Sequence, residues 1–232
     1  MTPGAQPGGG HDDQVHAARV VLRPIANPFA LGFMGLAGDT ITVAGTELGW
    51  ISHADALHAG LIVIIFAPSL QAIACVFGFL GRDAVAATGM GVLAGTWASI
   101  GAVMLTSPPG AASHALGTLL LLAAAAVLIS ATIAAATKLV PAIVMALVAA
   151  RFTVTGIYQF IPDAGWKAAS GTVGLVLGLA AVHGASSLEL ESMRRSPLLP
   201  VWRRGSGRQA LTLDLSAQVS EVAAEAGVRK HL

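Results

Sequence analysis

Six long apolar segments, separated by short polar loops, dominate the hydrophobic pattern of the chain. Each is close to the roughly 17–25 residues that a helix needs to cross the hydrocarbon of a bilayer. The pattern therefore predicts six membrane-spanning helices, over about 28–43 or slightly beyond, 56–80, 84–105, 113–137, 139–161 and 164–188. The polar segment 46–55 is predicted to be the first loop. One long helix kinked at Pro141 is the alternative for the fourth and fifth segments, but it would exceed the thickness of the bilayer.

The composition agrees with several helices in a membrane. Hydrophobic residues make up 55% of the 232 residues and charged residues 11%, whereas ordinary soluble domains carry about 25% charged residues. Because so little charge does not cover the surface of a soluble fold, we predict an all-α integral membrane protein. The net charge of +1 excludes the strongly basic surface that binds nucleic acid.

Lysine and arginine residues are distributed unevenly between the predicted loops. They are concentrated in the two tails and in the second and fourth loops: Arg19, Arg23, Arg82, Lys138, Arg194, Arg195, Arg203, Arg204 and Arg208. The loops on the other side contain only Lys167. Because basic loops stay in the cytoplasm, we predict a multi-pass protein of the cell (plasma) membrane with both termini inside.

Three regions follow from this pattern. Residues 1–26 are rich in glycine and proline, which predicts a flexible cytoplasmic tail. Residues 27–190 contain the transmembrane bundle of six helices. Residues 191–232 are predicted to be a cytoplasmic tail, in which 211–227 has the apolar and polar pattern of a short amphipathic helix. A frayed tail is the alternative for this last stretch.

Two charged residues interrupt the predicted spans. Asp39 lies past the midpoint of the first span, and Arg151 lies near the middle of the fifth. A lone charge at such a depth costs several kcal/mol, so we expect Asp39 and Arg151 to face each other or a water-filled cavity. Two roles stay open: a buried pair that braces the bundle, or, for Arg151, a cation that attracts a carboxylate substrate.

Other polar groups along the spans do not form a catalytic set. Gln71 follows Pro68, whose missing N–H leaves a helical carbonyl without its usual partner. Thr96 and Trp97 add hydrogen-bonding groups, and the histidines lack the spacing of a metal site. We predict no enzyme activity, no cofactor and no metal. Glycines at helical spacing, at 32, 35 and 38, at 91 and 95, and at 174 and 178, are typical of close helix packing.

Residues 27–32, Asn-Pro-Phe-Ala-Leu-Gly, resemble the Asn-Pro-x-Pro-Leu-Gly signature of the acetate uptake transporter family, the acetate/succinate permeases of bacteria and fungi. Further matches follow in chain order: Gln71 in the aromatic-Gly-Gly-x-x-Gln motif of the second span, Trp97 in the third, 164–166 at the start of the sixth, and Leu-Pro at 199–200. The chain departs from the pattern at Ala30, which replaces the second proline, and at Ala67-Pro68, which replace the glycine pair.

This resemblance implies a six-helix protomer in a hexameric ring, with one pore through each protomer for acetate and similar small carboxylates. In that family a bulky apolar or aromatic ring narrows the pore, and the resemblance places its members at Leu36, Leu93 and near Ala150, which are aliphatic here. Polar contacts to the anion are expected from Asn27, Gln71 and Thr96. The positive end of the first helix, which starts after Asn27, would face the anion.

We therefore predict a membrane channel or permease for acetate and similar small monocarboxylates, in which a dewetted apolar constriction blocks ions. Its partners would be a small carboxylate, membrane lipid and further copies of the chain in a homo-hexamer, with no nucleic acid. Two alternatives stay open. One is a channel for neutral small solutes such as urea, amides or undissociated acid. The other is a non-transporting membrane scaffold whose helix over 211–227 binds a partner.

Overall fold

The computed structural model describes residues 26–193, 199, 201–205 and 208. Six α-helices account for most of them: α1 (Pro28–Leu48), α2 (Ala56–Leu80), α3 (Ala84–Thr106), α4 (His114–Ala135), α5 (Leu139–Phe160) and α6 (Ala164–Met193). A 3₁₀ turn, His53–Asp55, precedes α2. The predicted flexible tail, all but residue 26, and the predicted amphipathic helix over 211–227 lie outside the described residues.

All six helices are long and apolar enough to cross a membrane. The described part of the chain is therefore a helical bundle that has, by length and composition, the character of a multi-pass membrane protein, and its fourth and fifth segments are separate helices. Two helix ends lie several residues beyond the prediction, and the other ends differ from it by two residues or fewer. α1 continues to Leu48, so the assignment of 46–48 to the first loop is wrong. α6 continues to Met193 rather than ending at 188.

Local sequence signals explain where the helices begin and end. Asn27 caps α1, because its Oδ1 accepts a first-turn N–H at 3.0 Å, and Pro28 takes the first helical position, where no hydrogen bond is lost. α1 ends at Gly49, whose φ of 84° strongly favours glycine. Asp83 caps α3 in the same way, because its Oδ1 accepts a first-turn N–H at 2.9 Å. Asn27 thus has a structural function at the start of α1.

The six helices form a closed ring. Each helix packs against its neighbours in the chain, and α6 packs back against α1. These two helices are antiparallel: Gly171, near the start of α6, lies against Leu48, whereas Gly184, further along, lies against Phe33. The start of α1 and the end of α6 therefore lie at the same end of the bundle. We call the opposite end, where α1 ends and α6 begins, the mouth.

Glycines allow the closest helix contacts in this ring. A Cβ on Gly78 would lie 2.6 Å from the backbone nitrogen of Ala87, so α2 and α3 approach each other only because this side chain is missing. Gly174 and Gly178 pack against side chains of α1, whereas Gly95 faces open space. The predicted packing role therefore fits Gly174 and Gly178 within one protomer, and it does not extend to Gly95.

Apolar side chains fill the inside of the ring and also cover its outside. The largest side chains with almost no exposure include Phe33, Leu36, Met90, Leu93, Trp97, Leu120, Met145, Phe152 and Leu177. The outer surface, above all that of α2, exposes Leu57, Ile62, Ile65, Val76, Phe77, Phe79 and Leu80. Such an outer surface suits contact with hydrocarbon rather than with water.

A short C-terminal segment packs at the end of the bundle opposite the mouth. Residues 201–204 pair with residues 137–140 through backbone hydrogen bonds, which include an isolated antiparallel bridge between Lys138 and Arg203. Arg203 also donates from Nε and Nη2 to the carboxylate of Glu191 at 2.6 and 2.8 Å. Burial lowers the pKa of the Lys138 ammonium group, against the opposing attraction of Asp83. This segment ties the turn between α4 and α5 to the end of α6.

Candidate functional site

An open cavity of about 130 Å³ lies at the mouth of the ring. Its polar lining residues are Thr46, Glu47, Ser52, His53, Ser107, Arg151, Thr155, Tyr158, Gln159 and Lys167, and its large apolar ones include Trp97, Ile100, Leu116, Leu120 and Phe152. Trp97 and Arg151 are deep in it, because each lies nine residues, about 14 Å of helix, before the mouth end of its own helix. The cavity thus brings a buried cation and aromatic side chains to the axis of the ring.

Arg151 forms a buried ion pair with Glu47. The Nη2 of Arg151 lies 2.7 Å from Oε2 of Glu47, and the two side chains are 2% and 8% exposed. The Nη1 of Arg151 donates to Oγ of Ser170, which in turn donates to Oε1 of Glu47 at 2.9 Å. Residues of α1, α5 and α6 are therefore joined by one charged network, which offsets part of the cost of burying both charges.

Small and hydroxyl-bearing residues hold the guanidinium of Arg151 in this position. Gly174 leaves room for it, since a Cβ there would lie 3.1 Å from Cζ of Arg151. Thr155, one turn after Arg151, lies with its Oγ1 2.8 Å from Oγ of Ser170 and donates to the backbone carbonyl of Arg151 at 2.8 Å. The cation is thus fixed by α5 and α6, independently of Glu47.

The charges around the cavity favour anions. Among the described residues that line it, Arg151 and Lys167 are positive and Glu47 is negative. Since Glu47 compensates Arg151, the charge of Lys167 remains in excess. A positive charge in a cleft with low-dielectric walls raises the local concentration of anions.

Of the two predicted surroundings, a contact between Asp39 and Arg151 is wrong, whereas Arg151 does line an open cavity. Asp39 faces α2, where its Oδ2 accepts the N–H of Ala67 at 3.3 Å. Arg151 extends along α6 toward the mouth and meets Glu47 instead. Asp39 is fully buried, and its Oδ1 has no hydrogen-bond partner in the part of the chain that the structure describes.

Leu36 and Leu93 lie at one level inside the ring. Gly32 of α1 lies against Met90 of α3, and both helices run toward the mouth, so the leucines four and three residues later are close to the same depth. Both leucines are 0% exposed. One turn nearer the mouth than Leu93, Trp97 makes an edge-on contact with Phe152, with ring centroids 6.0 Å apart. The apolar constriction predicted at Leu36 and Leu93 stays a prediction, and the burial of both leucines is compatible with it.

Ala150 does not join this group. It is exposed on α5, whereas Phe152 is buried against Trp97. One residue of an α-helix corresponds to a rotation of about 100°, so an offset of two residues is enough to move a position from the inside of the ring to the outside. Two residues after Ala150, Phe152 is the aromatic side chain of α5 that is buried inside the bundle.

The other predicted polar residues are separated from one another. Gln71 is fully buried between α2 and α1, with its Nε2 3.5 Å from the carbonyl oxygen of Gly32. Thr96 donates to the carbonyl of Val92 in its own helix at 2.8 Å. Asn27 lies at the end of the bundle opposite the cavity, as the cap of α1. None of these three residues lines the cavity at the mouth.

The sequence reasoning missed Glu47 and Ser170. A signal for Glu47 was present, since Leu36, Asp39 or Thr40, Val43 and Glu47 follow a spacing of three and four residues, which continues one helix face to the end of α1. The charge of Glu47, two residues before Gly49, suggested a loop instead. For Ser170 no such signal exists, because a serine in an apolar helix usually bonds its own backbone.

Comparisons with known proteins give a fold but no sequence family. No family model and no curated protein matches the chain. Among solved structures, that of the bacterial acetate channel SatP matches with a TM-score of 0.66 and 21% sequence identity, over 76% of this chain and 98% of that chain. At this identity the likeness shows a shared fold, so the six-helix architecture that the resemblance implied is confirmed.

Proposed function

We propose that the chain is a membrane channel or permease for acetate and similar small monocarboxylates, with its path along the axis of the six-helix ring. One observation carries the proposal: the cavity at the mouth contains two cations, Arg151 and Lys167, against one anion, Glu47, and apolar side chains fill the ring beyond it. The fold shared with an acetate channel supports the same conclusion.

The two parts of this path have different tasks. The cationic cavity concentrates small anions near the mouth. Leu36 and Leu93 then form an apolar constriction that stays dewetted and blocks hydrated inorganic ions. A small carboxylate has an apolar methyl group to present to the leucines, whereas a halide ion has none. This difference is the basis of the selectivity that we propose.

Uptake of labelled acetate into proteoliposomes, with and without a pH gradient, tests this function. We expect uptake into vesicles with the protein and none above background in protein-free vesicles. Flux that does not depend on the gradient indicates a channel, and gradient-driven flux indicates coupling to protons. Absence of any acetate flux from correctly folded protein would overturn the proposal.

Substitutions at the constriction sharpen the test. Leu36→Ala and Leu93→Ala are expected to raise acetate flux and to admit longer carboxylates such as butyrate, because they widen the apolar ring. Leu179→Ala is the matched control, since Leu179 is 71% exposed on the outside of α6. Equal effects of the inner and outer substitutions would contradict a constriction at Leu36 and Leu93.

A channel for neutral solutes is the second candidate. Apart from Oε2 of Glu47, which is in the ion pair with Arg151, one buried donor and two buried acceptors have no hydrogen-bond partner among the described residues: Nε1 of Trp97, Oδ1 of Asp39 and Oε1 of Gln71. An amide or urea presents both donors and acceptors, so this set favours such a solute over an anion. Urea flux in the same vesicles, without acetate flux, would select this function. Absence of both fluxes favours the membrane scaffold.

The assembly and the orientation are further parts of the proposal. We propose a homo-hexamer in the cell membrane with both termini in the cytoplasm, in agreement with the basic residues near the end opposite the mouth. Native mass spectrometry counts the protomers. Labelling of single cysteines placed at Arg82 and at Ser113, in a Cys75→Ser background, determines the orientation, since these positions lie at opposite ends of the bundle.

A further inference from the structure

Glu47 is held in the way in which a protein binds a free carboxylate. One of its oxygens lies 2.7 Å from Nη2 of Arg151, and the other accepts from the hydroxyl of Ser170 at 2.9 Å. An ion pair between a fixed guanidinium and one oxygen, together with a hydroxyl that donates to the other oxygen, is a common recognition pattern for a carboxylate. Glu47 and Arg151 lie in the wall of an open cavity, whereas Ser170 is fully buried beside them.

We propose that Arg151 and Ser170 form a carboxylate-binding site that Glu47 occupies when the channel is empty, and that a small carboxylate binds there by displacing Glu47. The identification of acetate-like anions as the physiological ligand rests on the proposed function. The site itself rests on the geometry of these three residues.

The fixed part of this site is the cation. The side chain of Arg151 is 2% exposed, its Nη1 donates to Ser170, and its guanidinium lies against Gly174 of α6. None of these contacts involves α1. Arg151 therefore keeps its position when Glu47 moves, and it then presents an uncompensated charge to the cavity.

The movable part is the anion. Glu47 lies in the last turn of α1, directly before Leu48 and Gly49. The carboxyl end of a helix carries the negative end of the dipole, which disfavours a carboxylate there. Because α1 gives Glu47 no electrostatic support, the contact with Arg151 and Ser170 is what holds it. A second cation, Lys167, lines the same cavity.

Exchange of one carboxylate for another has two consequences. The charge near Arg151 stays balanced whether the site is empty or loaded, so no unpaired guanidinium is left buried, which would be costly. The two-oxygen geometry also selects a planar carboxylate over a spherical halide, which cannot meet the guanidinium and the hydroxyl with separate oxygens.

Thermal unfolding of the purified protein in detergent micelles measures this exchange without any transport. The unfolding midpoint is recorded against sodium acetate at constant ionic strength, with sodium chloride as the replacement salt, since a ligand that binds the folded state raises the midpoint with its concentration. For Glu47→Gln we expect the half-saturating acetate concentration to fall by about tenfold. The variant lacks the carboxylate that competes with acetate, and the free energy of one charge-assisted contact corresponds to roughly a tenfold change in binding.

Asp55→Asn is the matched control. Asp55 is an exposed carboxylate near the mouth that contacts His58 and not Arg151, so its loss changes the charge without freeing the site. We expect the acetate dependence of this variant to equal that of the wild-type protein. If the half-saturating acetate concentration fell equally in Asp55→Asn and Glu47→Gln, a specific exchange at Arg151 would be refuted.

The combined variant Glu47→Gln with Arg151→Gln removes both charges of the pair, so neither partner is left as an unpaired buried ion. It is expected to fold and to lose the acetate-dependent rise of the midpoint. Retention of that rise, or an unchanged half-saturating concentration in Glu47→Gln, would overturn the proposal. If vesicles transport acetate while these binding results fail, the site is wrong and the channel stands. If the binding results hold without transport, the channel is wrong and the site stands.

Discussion

Gly174→Ala tests whether the close approach of α6 positions Arg151. The added Cβ would lie 3.1 Å from the Cβ of Ala44 and 3.1 Å from the guanidinium carbon of Arg151. Carbon atoms in ordinary contact are about 3.5–4.0 Å apart, so both contacts are too short by roughly half an ångström. Ala44 is fixed by the backbone of α1, which leaves the guanidinium as the group that moves. We therefore expect a longer contact between Arg151 and Ser170.

The expected cost follows from this overlap. Inserting one methyl group into a well-packed position typically costs about 1–3 kcal/mol, and the weaker contact with Ser170 adds to it. Unfolding in mixed micelles, followed by circular dichroism, measures the free energy of unfolding. The same samples give the half-saturating acetate concentration, which we expect to rise because the guanidinium has moved.

Gly95→Ala is the control for this substitution. Gly95 also lies within a predicted span and also belongs to a glycine pair with a spacing of four, but the position of its Cβ is open space. We expect Gly95→Ala to leave the binding of acetate unchanged and the free energy of unfolding equal or up to about 1 kcal/mol higher, because alanine is the better helix former. Equal stability of the two variants would refute the close packing of α6 against Ala44 and Arg151.

Three further predictions concern the interior and the far end of the bundle. Phe152→Ala removes a buried ring that contacts Trp97; we expect about 3–5 kcal/mol less stability from denaturant unfolding, and an unchanged stability would contradict the contact. Asp39→Asn keeps an oxygen for the N–H of Ala67 and removes a buried carboxylate. We therefore expect equal or higher thermal stability in micelles. A large loss of thermal stability would show that the carboxylate has a stabilising partner. Burial lowers the pKa of Lys138 below its ordinary value of 10.5, so the unfolded chain binds that proton more tightly and stability rises with pH up to about 10.5. In unfolding scans at increasing pH, Lys138→Met is expected to flatten this rise. An unaltered dependence of stability on pH would show that Lys138 is not its cause.

Most of the fold could be predicted because lipid restricts what a chain can do. Backbone groups in hydrocarbon must be paired within the segment, so each apolar stretch of sufficient length is a helix. Local signals then gave several ends closely: α2 spans Ala56–Leu80 and α5 begins at Leu139, as predicted. The end of α1 was predicted too early because a charged residue at 47 is typical of a loop, and its neutralisation by a distant helix is not visible locally.

The candidate site could be predicted only in part. The sequence indicated that Arg151 needs a partner, because a lone charge in a span is costly. It did not indicate which partner, since helical spacing fixes the face of a residue and not the direction in which a long side chain extends. Arg151 extends along α6 toward the mouth, where Glu47 and Ser170 meet it. The expectation for Ala150 was wrong for a related reason. Ala150 is exposed, whereas Phe152, two residues further along α5, is buried, because positions two residues apart in a helix lie on nearly opposite faces.

Stability alone is a poor reason for the presence of Glu47 and Arg151. Replacing a buried ion pair with apolar side chains of similar volume is often neutral, or stabilising by about 1–4 kcal/mol. A bundle as apolar as this one could be braced at the same place by leucine or methionine at lower cost. The pair instead lies in the wall of the cavity, with the cation fixed by α5 and α6 and the anion at the disfavoured end of α1. This asymmetry has no use in a static brace, whereas it is what an exchangeable anion site requires.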